Sequence, residues 1–95
     1  MAVIRSVRDK RVWQILDGVC PKRFPAGVMR AAQRRLIALD AAKTLDELRS
    51  PPSNRLEALK GRRKGWQSIR INRQWRICFR WINNNAEDVD IVDYH

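Results

Sequence analysis

Between Asp9 and Arg49 the apolar positions recur every third or fourth residue, and after Pro52 they recur every second one, so helices should precede a sheet. Ahead of the helices, Ala2 to Val7 is predicted as a short strand. Asp9 then caps a helix over Lys10 to Asp17, which Gly18 ends. The connector Val19 to Pro25 contains two prolines and cannot be helical. A longer helix is predicted over Ala26 to Ala42. It buries Val28, Ala32, Leu36 and Leu39 and turns Arg30, Gln33, Arg34 and Arg35 largely away. Thr44, with Glu47 three residues on, marks a further helical turn that stops at Ser50-Pro51-Pro52. Four strands follow: Arg55 to Leu59, Trp66 to Ile71, Trp75 to Ile82 and Val89 to Tyr94. They are separated by Gly61 to Gly65, by Asn72-Arg73-Gln74 and by Asn83-Asn84-Asn85. Turns this short make antiparallel neighbours. The expected fold is α+β, with an N-terminal strand and two or three helices on one face of a mainly antiparallel four- to five-stranded sheet. A chain of 95 residues builds one core, so residues 1–95 are read as a single domain.

Alternation also assigns the two faces of that sheet. Ile69 and Ile71, then Trp75, Ile77, Phe79 and Trp81, should pack on the helices, leaving Ser68, Arg70, Arg76, Cys78 and Arg80 on the opposite face. Neighbouring strands bring such arginines to about 5 Å in Cα spacing, where they repel unless an anion lies between them. Val89 and Ile91 are core-like, which puts Tyr94 with the arginines. Strict alternation turns His95 the other way.

Composition narrows the partners. Twenty Lys and Arg against ten Asp and Glu give a net charge of +10, a footprint for phosphate-rich partners. The charge is uneven: Arg55 to Arg80 holds nine basic residues and one acid, and Ile82 to His95 holds four acids and no Lys or Arg. No run of apolar residues reaches the length of a membrane span or a secretory signal, so a cytoplasmic protein with no membrane partner is expected. Cys20 and Cys78 are expected to be free thiols, Cys78 buried. Two isolated cysteines and one histidine supply no set of spaced metal ligands, and no metal or cofactor is expected.

Individual residues carry different weight. Trp75 and Trp81 are read as core. Trp66, beside the basic loop, is equally suited to packing or to base stacking. Arg62, Arg63 and Lys64 are read as a solvated tip that attracts RNA phosphates without specificity, and Arg70, Arg73 and Arg80 as further RNA contacts. Arg76 interrupts an apolar run and needs an anionic or carbonyl partner. His95, the only histidine, has a side-chain type that exchanges a proton near neutrality.

Four segments resemble, in order and spacing, the signature blocks of the HigB branch of the RelE superfamily of toxins. They are Asn54 to Gly61, Trp66 to Asn72, Gln74 to Phe79, and Val92-Asp93-Tyr94-His95. The resemblance is strong in the C-terminal half and is one of pattern and length in the helices. It implies a compact microbial-ribonuclease-like fold and an endonuclease that cuts mRNA in the A site of the 70S ribosome, with no metal or cofactor. The ribose 2′-OH would attack the adjacent phosphate. Carried over position by position, Lys60 and Arg76 would stabilise the phosphate, Tyr94 would orient or stack on a nucleotide, His95 would transfer the proton, and Asp93 would position these groups. Glu57 stands where several family members carry a histidine. Carboxylates, with a reference pKa of about 4.3, are ionised at pH 7 and make poor bases. The resemblance also implies a HigA-type helix-turn-helix antitoxin, with operator DNA bound only through the complex, since no helix-turn-helix is visible here. A non-catalytic basic nucleic-acid- or ribosome-binding module would show a similar charge pattern.

Overall fold

The computed structural model describes residues 2–94. Among these residues two helices pack against a four-stranded antiparallel sheet whose strands lie side by side in chain order.

Helix α1 (Arg11–Leu16) is shorter by one residue at each end than its periodicity predicts. The Asp9 carboxylate acts on its first turn, accepting the Arg11 backbone N–H (2.9 Å) and pairing with its guanidinium (2.7 Å). Val12 and Ile15 face the core. At the other end Gly18, at φ 82°, lets the Val19 N–H close back on the Gln14 carbonyl (2.9 Å). Helix α2 (Ala26–Ala41) starts after Pro25 and buries Val28, Ala32, Leu36 and Leu39, the predicted stripe. The segment Leu45–Arg49 is a 3-10 turn, and the Glu47 carboxylate accepts the Thr44 N–H (3.0 Å).

Asn54 pins the crossing from helices to sheet. It is fully buried; its amide donates to the Leu48 and Ser50 carbonyls (3.1 and 3.2 Å) and its oxygen accepts from Arg35. Arg55 then adopts a left-handed conformation (φ 45°), so it cannot join a ladder, and the strand predicted from Arg55 shrinks to β1 (Glu57–Ala58). Strand β2 (Trp66–Arg70) turns into β3 (Trp75–Ile82) through Asn72, whose side chain accepts the backbone N–H groups of Gln74 (2.9 Å) and Trp75 (2.8 Å). Asn83 and Asn84, both at positive φ, form a two-residue hairpin turn. Strand β4 (Asn85–Asp93) therefore begins four residues before the predicted start.

The predicted N-terminal strand is absent as a continuous element. Two isolated parallel bridges replace it, Ile4 to Ala86 and Val7 to Val89. The reason lies in β4: the β3–β4 register shifts between Cys78 and Arg80, and Asp88 stands at φ 53°. The Ser6 hydroxyl fills this irregularity, donating to Glu87 (2.7 Å) and accepting the Asp88 N–H (2.8 Å).

The helices cover one face only. Ile69, Ile77, Phe79, Val89 and Ile91 meet Val12, Ile15, Leu36 and Leu39 in one core, with Trp75 and Trp81 packed at its margin as predicted. Among the described residues no helix is long and apolar enough to cross a membrane.

Candidate nuclease site

The uncovered face of the sheet carries the candidate chemistry. Register places Glu57 opposite Ser68, Ser68 opposite Cys78, and Cys78 opposite Asp90, so one row of side chains crosses all four strands. The next row pairs Arg70 with Arg76.

Arg76 is the centre of the cluster. Only 11 % of its side chain is exposed, and among the described residues its partners are acceptors and a ring. Its Nε donates to Ser68 Oγ (2.9 Å) and one terminal nitrogen to the Arg55 carbonyl (2.8 Å), with Glu57 Oε1 at 3.4 Å. The Tyr94 ring centroid lies 5.7 Å from the guanidinium carbon. The geometry therefore supplies the carbonyl and anionic partners that Arg76 demanded from sequence, and puts Tyr94 on its side of the sheet.

A second guanidinium comes from an unexpected direction. Arg63 does not stand at a solvated tip, because the 3-10 turn Gly61–Arg63 folds it back over the sheet. There it pairs with Asp90 (3.3 Å) and lies 4.7 Å from the Trp66 ring centroid; one terminal nitrogen is buried with no hydrogen-bond partner. Arg8 approaches the same ring at 5.8 Å. Trp66 is thus engaged by two cations. Arg62 and Lys64 remain exposed, as does Lys60 at the start of the turn.

Cys78 lies beneath this cluster, buried and free as expected. Burial, the largest influence, pushes its thiol above the usual range. Burial likewise raises the pKa of Tyr94. Cys20 is exposed. A thiol-specific reagent at pH 8 should accordingly label one cysteine in the native protein and a second only on unfolding, with mass mapping to Cys20 first. Native-state labelling of Cys78 at a comparable rate would contradict this packing.

Arg80 stands apart from the cluster. Arg80 lies four residues along β3 from Arg76, about 13 Å at strand rise, and pairs with Asp88 (3.0 Å) instead of joining Arg70 and Arg76. The Asp93 carboxylate accepts from the Gln74 amide (3.1 Å). Arg70 donates to the Asn72 carbonyl (3.0 Å), and Arg73 lies in the exposed turn. His95 lies outside the described residues. Three participants were missed from sequence. Asp90 was recoverable, since it shares alternation parity with Tyr94; Ser68 had been placed on this face without a role; Arg8 gave no local signal. Among the described residues no group of three or more His, Cys, Asp or Glu could hold a metal ion.

Comparison with known proteins supplies the context for this cluster. Residues 6–95 match the family described as the RelE-like toxin of the type II toxin-antitoxin system HigB. Toxin HigB-1 of Vibrio cholerae serotype O1 is 47 % identical over 63 residues, which is 66 % of this chain and 66 % of that protein. Endoribonuclease HigB of Proteus vulgaris is 32 % identical over 93 residues, covering 98 % of this chain and 100 % of that one. A Haemophilus influenzae protein without an assigned activity is 31 % identical over 83 residues, 86 % of this chain and 82 % of its own length.

Proposed function

Because this chain belongs to the HigB family of RelE-like toxins of type II toxin-antitoxin systems, we propose that it is an endoribonuclease that cuts mRNA in the A site of the translating 70S ribosome and so arrests growth. The observation that carries this reading is Arg76. A guanidinium nearly withdrawn from solvent is oriented by Ser68 and the Arg55 carbonyl and faces Tyr94, which suits it to grip a phosphate in a fixed direction.

The reaction is attack of the ribose 2′-OH on the adjacent phosphorus. It passes through a phosphorane and breaks the bond to the 5′ oxygen, leaving a 2′,3′-cyclic phosphate and a 5′-OH. A base takes the 2′-OH proton and an acid gives one to the leaving oxygen. Arg76 and Lys60 hold the developing charge. Tyr94 orients the nucleotide. His95 transfers the proton, and Asp93 helps to position these groups. We expect this chemistry to be acid/base work and charge stabilisation by side chains, without metal or cofactor. The cognate partner we propose is a HigA-type helix-turn-helix antitoxin that carries the complex to operator DNA, in the cytoplasm.

Primer-extension mapping tests the reading. Cuts within codons are expected when mRNA is incubated with the protein and programmed ribosomes, and none on free mRNA. Equal cutting without ribosomes would remove the ribosome dependence, and RNA binding without any cuts would indicate a binding module.

Glu57 is where this chain departs from the family pattern. Its side chain is 59 % exposed and, 3.4 Å from Arg76, competes with phosphate for that guanidinium. Glu57→His removes the competing charge and installs a base of suited pKa, so cleavage should accelerate by part of the roughly 10²- to 10⁴-fold that a positioned base can supply. Single-turnover rates on programmed ribosomes measure it; an unchanged or lower rate would refute a tempering role for Glu57.

A further inference from the structure

A second cluster of cations lies beside the site. Arg35 from α2, Arg55, and Arg70 and Arg73 from the end of β2 and its turn line an open cleft of about 500 Å³ with Ser53 and Asn72, and no acidic residue lines it. Charge balance sets this cleft apart. On the sheet face, Arg76, Arg63 and Arg80 each have a carboxylate partner, in Glu57, Asp90 and Asp88. Among the described residues no ion pair neutralises any of the four cleft arginines.

Two of the four are held in place by neutral acceptors alone. Arg35 donates to the Arg70 carbonyl (3.1 Å), to Ser53 Oγ (3.2 Å) and to the buried Asn54. Arg70 donates to the Asn72 carbonyl (3.0 Å). Desolvation, followed by the nearby Arg34, lowers the pKa of Arg35, as befits a cation without a counter-charge. Fixed guanidinium groups with no carboxylate between them are arranged for an anion. The cleft also adjoins the catalytic face directly, since the Arg55 carbonyl holds Arg76 and Arg70 stands opposite Arg76 in the ladder.

We propose that this cleft is a second anion subsite, which binds a backbone phosphate of RNA other than the one that is cut and so fixes the direction in which RNA crosses Arg76. This rests on the nuclease reading above. The phosphate comes either from the cut strand, one or more nucleotides away, or from ribosomal RNA.

Arg55→Gln and Arg73→Gln test it, because both side chains are exposed and Arg35 is left to its structural contacts. Binding of 2′-O-methyl RNA dinucleotides and hexanucleotides is measured across a salt series, alongside affinity for ribosomes and cleavage of programmed mRNA, with melting curves as the folding control. If the cut strand fills the cleft, each variant should lower the hexanucleotide salt slope by about 0.7 for every phosphate it no longer neutralises. Loss confined to ribosome affinity assigns the phosphate to ribosomal RNA and also supports the subsite. Slopes and affinities equal to wild type in both arms, for both variants, would overturn it. Should the wild type fail to cleave while the variants still lose RNA binding, the nuclease reading falls and the subsite stands.

Discussion

Arg76→Ala is expected to lower mRNA cleavage on programmed ribosomes by about 10²- to 10³-fold, the loss seen when one preorganised donor to a developing oxyanion is removed. The size follows from its setting. A guanidinium at 11 % exposure acts on a phosphate through little intervening water, and its direction is fixed before substrate arrives. Arg76→Lys should recover only part of the loss, because an ammonium keeps the charge and cannot span Ser68 and the Arg55 carbonyl as a fork. The truncation leaves the buried Ser68 hydroxyl without its partner, which costs about 1–3 kcal/mol, so melting curves must accompany the rates. A folded Arg76→Ala protein that cuts at the wild-type rate would remove Arg76 from the chemistry.

Phe79→Ala should unfold much of the population near physiological temperature. Phe79 is fully buried on β3, three residues from Arg76, and its ring meets Trp81 at 6.3 Å. Emptying such a site costs about 3–5 kcal/mol, a large part of the roughly 5–15 kcal/mol that holds a small domain together. At about 4–8 °C per kcal/mol for a domain of this size, the midpoint should fall by on the order of 15–30 °C. A shift below a few degrees would mean that the helices and sheet pack less tightly around β3 than the structure shows.

These two residues also show what the sequence made legible. Strict alternation from Trp75 to Trp81 was enough to separate Phe79 from Arg76, because a strand offers only two sides and one must be dry. The same parity assigned Tyr94 to the side of Arg76. Local chemistry also marked α2 and the Asn72 turn. What stayed hidden depends on contacts between distant segments or on backbone conformations with no sequence mark. Arg63 looked solvated because nothing local says that its turn folds back onto Asp90, 27 positions away. Arg35 was assigned to the outer side of α2, yet it reaches Asn54 and Arg70. Arg55 fell out of its predicted strand through a left-handed backbone that an arginine does not advertise.

The paired bridges from Ile4 and Val7 to β4 bear on how the molecule comes into being. Ser6 closes its hydrogen bond with Asp88 across 82 positions, and Ile4, buried in the core, has Ala86 as its bridge partner. Synthesis proceeds at about 5–20 residues per second, so these early residues wait seconds for their partners to emerge. Docking them also requires closing a long loop, which slows folding. A chain emerging from its own ribosome therefore cannot assemble the finished sheet, or complete the cation cluster on its open face, until β4 is out.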